Sequence, residues 1–158
     1  AASVDDKWRA MFELNVLGVL RMTRTLLPKL IASGDGLIVN LGSIAGVETY
    51  PGGGGYAASK HAAHALTRTL RLELLGQPVR ITEILPGLAE TEFALVRFDG
   101  DRERAKKVYE GMTPLTAEDI AEAVRWVATL PAHVDIDEIV IRPRDQATTM
   151  LVHRRPKE

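Results

Sequence analysis

The chain has no cysteine, which excludes a disulfide framework and a thiolate metal site and suits a reducing compartment. It has no excess of either charge. Lys and Arg number 20 against 21 Asp and Glu, for a net charge of −1, which gives no electrostatic basis for binding nucleic acid or an anionic membrane. It has no apolar run long enough to span a bilayer, because the longest apolar-rich stretch, 15–30, is interrupted by Arg21, Arg24 and Lys29. No segment reads as a signal peptide, and no repeat, low-complexity tract or linker divides the chain. What is present is ordinary for a globular protein: 158 residues, 46% hydrophobic and 26% charged. That length suits a single domain, 1–158, burying roughly 68–70% of its unfolded surface. The expectation is a cytoplasmic enzyme with a small-molecule substrate and no nucleic-acid or membrane partner.

Helical and strand periodicities alternate along the chain, which predicts a parallel α/β sheet with helical crossovers. A long helix is expected over 4–32, with Trp8, Phe12, Val16, Val19, Thr23, Leu26 and Leu30 at helical spacing. Pro28 is expected to kink it or to mark its last turns. After a Gly34-Asp35-Gly36 turn, strands are expected over 37–41, 79–85 and 136–142, with helices over 56–75, 102–110 and 116–130. Thr116-Ala117-Glu118-Asp119 reads as a capping box opening the last of these helices. The basic tail, 153–157, is expected to be mobile.

The chemistry concentrates in Tyr56-Ala57-Ala58-Ser59-Lys60, with Ser43 thirteen residues upstream. Residues four apart share a helix face, one turn from each other. A phenol with a pKa near ~10 is a poor base at neutral pH, and a nearby ammonium lowers that value by favouring the phenolate. A serine hydroxyl alongside can hold a substrate oxygen while the tyrosine moves the proton. Such a set suits alcohol–carbonyl interconversion, with a nicotinamide giving or taking the hydride. Each residue also has a plainer reading: a helix tyrosine with its hydroxyl in water, a solvated lysine, a turn serine bonding the local backbone. Asn15 falls on the apolar stripe of its helix, where a buried amide needs a partner. His61 and His64 lack metal-ligand partners at sensible spacing, so no metal site is expected.

Context strengthens the motif. A strand ending in Asn40-Leu41-Gly42-Ser43-Ile44-Ala45-Gly46 and the glycine cluster 52–55 precede Tyr56, and Pro86-Gly87-Leu88-Ala89-Glu90-Thr91 follows a later apolar strand. Together these resemble the short-chain dehydrogenase/reductase family, over about residues 4–147. The resemblance implies a Rossmann-like doubly wound sheet. It makes Asn15, Ser43, Tyr56 and Lys60 the catalytic set, with Ser43 and Tyr56 on the substrate oxygen and Lys60 on the nicotinamide ribose. Pro86, Gly87, Leu88 and Thr91 become the turn that holds the nicotinamide end of the cofactor, and Asn15 gains a backbone carbonyl and a water leading to the lysine. The family also dimerises or tetramerises through its long helices, here 4–32 and 56–75.

The family's glycine-rich nucleotide loop after a first strand, and its Asn-Asn-Ala-Gly segment on a fourth strand, have no counterpart here. The expectation is therefore the C-terminal portion of the fold, about three strands with flanking helices. Its first strand would have an open edge and its stability would be low. The segments 91–98, 108–123 and 131–143 look like the NADP-dependent 3-hydroxy acid dehydrogenases that act on serine and allo-threonine. NADP is the expected cofactor on that resemblance, with NAD not excluded. Arg97 and Arg142 are candidates for a substrate carboxylate, each with a plain surface reading beside it. Two alternatives stand next to this one: an aldehyde or ketone reductase of the same family, and a non-catalytic truncated subunit that binds an intact partner.

Overall fold

The computed structural model describes residues 4–156. Helical residues run unbroken from 4 to 32, in three parts. These are α1 (Val4–Phe12), a π-helical stretch (Glu13–Gly18) and α2 (Val19–Ala32). Pro28 sits inside α2 and the helix continues past it to Ala32. Strand β1 (Gly36–Leu41) leads through a short 3₁₀ turn (Ile44–Gly46) into α3 (Gly54–Glu73). Then come β2 (Val79–Pro86), two short helices α4 (Phe93–Arg97) and α5 (Arg102–Lys107), α6 (Ala117–Ala128) and β3 (Glu138–Ile141).

The three strands form one parallel sheet in the order β1-β2-β3, with Gly36 opposite Val79 and Glu83 opposite Glu138. Because β2 is central, its 80–85 run is buried on both faces, with Ile81, Ile84 and Leu85 at its heart. Alternate residues of a strand point to opposite faces. Glu83 reaches His64 of α3, whereas Arg80 reaches the Val127 carbonyl of α6, so the two helices cover opposite faces. Among the described residues β1 is paired on one side only, as the sequence anticipated.

Close packing brings α3 against the first helix. A Cβ on Gly55 would come within 2.5 Å of Met11 Cε and 3.0 Å of the Trp8 indole, so glycine lets the two helices approach. The predicted capping box is formed: Thr116 N donates to Asp119 Oδ2 at 2.8 Å and Asp119 N to Thr116 Oγ1 at 3.3 Å.

Several expectations are corrected. The third strand is shorter than 136–142, the helix expected over 102–110 ends at Lys107, and α3 begins at Gly54 and ends at Glu73. The tail expected to be mobile is docked as far as it is described, with Lys157 outside the described residues. Val152 bridges Gln146, His153 N donates to the Asp145 carbonyl at 2.8 Å, and Arg155 N donates to the Gly111 carbonyl at 2.7 Å. Arg154 adds bonds to the carbonyls of Val108 and Glu110.

Candidate active site

The C-terminal ends of β1 and β2 open into a cavity of about 720 Å³, the place where open α/β sheets bind ligands. Ser43, Tyr56, Lys60, Pro86, Gly87, Leu88 and Thr91 all line it. Residues scattered over 49 positions of sequence thus meet in one hollow because β1, α3 and β2 each deliver a terminus to it.

Ser43 caps the 3₁₀ turn, its Oγ accepting from Ala45 N at 3.1 Å, and lines the cavity together with Tyr56. The Tyr56 ring packs on Phe93, centroids 5.2 Å apart. Lys60 follows one turn later, its Nζ donating to the Leu41 carbonyl at 2.9 Å and lying 5.9 Å from the Tyr56 ring centroid. An ammonium has three donors, so further donors remain for a ligand.

Asn15 is the residue that does not line the cavity. It stands in the π-helical stretch, and its Nδ2 donates to Ser59 Oγ at 3.0 Å, which in turn donates to the Tyr56 carbonyl at 2.9 Å. Its partner is therefore the serine hydroxyl beside Lys60, in place of the backbone carbonyl that the resemblance implied. π-Helical turns re-aim side chains and recur at functional sites.

The electrostatics depart from the sequence expectation. Burial pushes the Tyr56 phenol above its ordinary value, against the Ser43 hydrogen bond. Tyr50 adds to the rise and the Arg97 guanidinium opposes it. Lys60 stands nearby, its Nζ 5.9 Å from the ring centroid. Burial holds the lysine itself below its ordinary value, opposed by the charge of Glu83. At neutral pH the Tyr56 phenol therefore keeps its proton.

The Pro86–Thr91 turn is also more self-contained than expected. Leu88 N donates to Gln146 Oε1 at 2.8 Å, Leu88 O accepts from Leu115 N at 2.9 Å, and Gly87 N donates to the Ile141 carbonyl at 2.7 Å. Thr91 Oγ1 accepts from Phe93 N at 3.2 Å and keeps its own proton to donate. Of the two candidate arginines, Arg97 faces the cavity, its guanidinium over the Tyr50 ring at 5.1 Å. Arg142 is held away from it by Glu48 at 2.6 Å.

The family's sequence model, described as short chain dehydrogenase, matches residues 1–101. The chain belongs to the short-chain dehydrogenase family. An uncharacterized oxidoreductase of Mycobacterium tuberculosis is 66% identical over 90% of this chain and 57% of its own length. An NADP-dependent 3-hydroxy acid dehydrogenase of Salmonella typhi is 48% identical over 97% of this chain and 62% of its own. A solved serine dehydrogenase, in a closed form complexed with NADP+, superposes with a TM-score of 0.89 at 45% identity, over 97% of this chain and 62% of that one. The chain thus spans about three-fifths of the length of these relatives.

Some neighbours of the site were not legible in the sequence. Tyr50 and Phe93 wall the cavity around Tyr56, and Gln146, Met150 and Arg154 close it from the far end of the chain. Tyr50 carried a weak local signal, an aromatic just before the glycine cluster. Gln146 carried none, since its partner Leu88 lies 58 residues away. No group of three or more metal-ligating side chains occurs among the described residues. No helix there is long and apolar enough to cross a membrane.

Proposed function

We propose that this chain carries the catalytic residues of an NADP-dependent oxidoreductase that interconverts the hydroxyl and carbonyl of a small 3-hydroxy acid such as serine or allo-threonine. The observation that carries the reading is the meeting of Ser43, Tyr56 and Lys60 in one cavity at the strand ends. Bound NADP supplies the hydride donor or acceptor. The residues present fit its nicotinamide–ribose end. Lys60 has donors to offer a ribose, Thr91 has a hydroxyl proton for a carboxamide, and Pro86, Gly87 and Leu88 shape the wall between them. Ser43 holds the substrate oxygen and Tyr56 passes its proton to that oxygen in reduction, or takes it back in oxidation. Arg97, in none of the ion pairs of the described residues, is the group offered to a substrate carboxylate. The chain assembles as a homodimer or homotetramer through α1–α2 and α3.

The test replaces Tyr56 with Phe and follows NADPH oxidation and NADP+ reduction with 3-hydroxy acids and their 3-oxo partners. A loss of about 10²–10⁴-fold in kcat/KM is expected for a removed proton-transfer group, and unchanged turnover would sink the mechanism. A phenol raised by burial also sets the pH behaviour. Reduction is expected to hold steady through neutral pH and to fall only where the phenol ionises, above its ordinary value of 10.0. Oxidation rises with pH over the same approach. A pH–rate profile in each direction checks this.

A further inference from the structure

Behind the active-site face, one carboxylate is sealed into the sheet. Glu83 is 1% exposed at the centre of β2, on the face covered by α3. Its Oε2 lies 2.8 Å from His64 Nδ1. Its Oε1 lies against the backbone of Gly42, one residue before Ser43, where a Cβ would collide with it. Glycine at 42 therefore makes room for this carboxylate directly beneath the serine loop. Lys60, one helical turn before His64 on α3, donates to Leu41 O at the end of the neighbouring strand. The other charged or polar groups around Glu83 are few. Glu138 of β3 stands opposite it in register, 3.8 Å from His64 Nε2, with Arg68 of α3 at 4.0 Å from that second carboxylate. Asn40, opposite it on β1, is uncharged and donates to Thr67 of α3.

A buried acid in a strand interior costs stability unless it is paired. His64 satisfies one oxygen but leaves open why a carboxylate stands at this position at all. One cation is seated beside this stretch, the Lys60 ammonium on the carbonyl of Leu41, the residue before Gly42. We infer that Glu83, held in place by His64, is a positioning residue that serves as the buried counter-charge of Lys60, keeping the lysine cationic and seated on the Leu41 carbonyl. Burial raises the Glu83 carboxyl above its ordinary value, with Glu138 adding to the rise and His64 and Lys60 pulling it back towards the ionised form. Glu83 in turn opposes the burial that lowers Lys60.

The inference rests on Lys60 being an active-site residue, but its test does not require turnover. In the 158-residue chain, the Lys60 side chain is followed by ¹³Cε NMR through an alkaline titration, in wild type and in Glu83→Gln. The expected result is a downward shift of the Lys60 midpoint on the order of one pH unit, as for the loss of a nearby opposite charge, with Glu83→Asp restoring part of it. A residue that only fills space would leave the midpoint where it is. An unmoved midpoint in a folded Glu83→Gln overturns the inference. Should that variant fail to fold, the Glu83 carboxyl ¹³Cδ signal of the wild-type chain decides. An ionised carboxylate at neutral pH supports the counter-charge, and a protonated one overturns it. A chain inactive on every hydroxy acid but with Lys60 coupled to Glu83 would sink the proposed function and leave this inference standing.

Discussion

Tyr56 and Arg97 both line the cavity, and under the proposed function they divide the work on a substrate. In that reading the phenol acts at the reacting oxygen, while the guanidinium, resting on the Tyr50 and Phe98 rings at 5.1 and 5.5 Å, serves the far end of an acid. Replacing Arg97 with Gln should therefore raise KM for 3-hydroxy acids by about tenfold or more, as for a lost charge-assisted hydrogen bond. Turnover of an aldehyde that has no carboxylate should change little. Steady-state kinetics with the two substrate classes separate these outcomes, and an equal effect on both would remove Arg97 from recognition. At this scale the sequence was enough to pick out residues that meet in one cavity and a poor guide to their environment. Tyr56, Lys60 and Ser43 could be picked out by spacing and context. The upward push on the phenol depends on how deeply the ring sits against Phe93, which no spacing reveals.

Among the elements, α3 and α1 fit closely at Gly55. Adding one methyl there, in Gly55→Ala, drives a Cβ to 2.5 Å from Met11 Cε and 3.0 Å from Trp8. Overpacking of this kind costs about 1–3 kcal/mol, and urea denaturation should register the loss. A second joint is Glu48, which receives the Thr149 amide at 2.7 Å and Arg142 at 2.6 Å. Burial pushes its carboxyl up, but Thr149 and Arg142 outweigh that and leave it below its ordinary value. A depressed folded-state value means that the contribution is present above pH 4.5 and is lost as pH falls through the lowered value. Amide exchange at Thr149 should accelerate on acidification while the amides of β2 stay protected. Equal loss of protection in both places would count against a local joint. The helix 4–32 was readable from its apolar stripe, but its π-helical stretch was not, because Phe12, Val16, Val19 and Thr23 step by three and four across it as in an α-helix. The five-residue α4 was missed for a different reason, being too short to show a period.

On the scale of the whole molecule, the long helix leaves Val4, Trp8, Leu14, Leu17, Met22 and Leu26 exposed, Leu14 at 75%. If this face is the proposed subunit contact, the chain should sediment as a dimer or larger. Leu14→Asp should then shift it towards monomer by placing a charge in an apolar interface. A wild-type chain that sediments as a monomer at every concentration would remove the assembly proposal. The parallel sheet was legible in the alternation of helix and strand, and the open edge of β1 in the family resemblance. The folding back of the terminal segment did not. Its anchors are backbone carbonyls of residues 108, 110 and 111, and a carbonyl looks the same at every position of a sequence.

Gly111 sits where that terminal segment lands. Its φ is 72°, and a Cβ there would press on the Arg155 backbone at 2.8 Å. Arg154, the preceding residue, forms part of the cavity wall, whereas Gly111 does not. In a randomised library screened for altered substrate range, position 111 should therefore yield hits without ever touching a substrate. Its variants would work by lifting the end of the chain and taking one side of the reaction chamber with it.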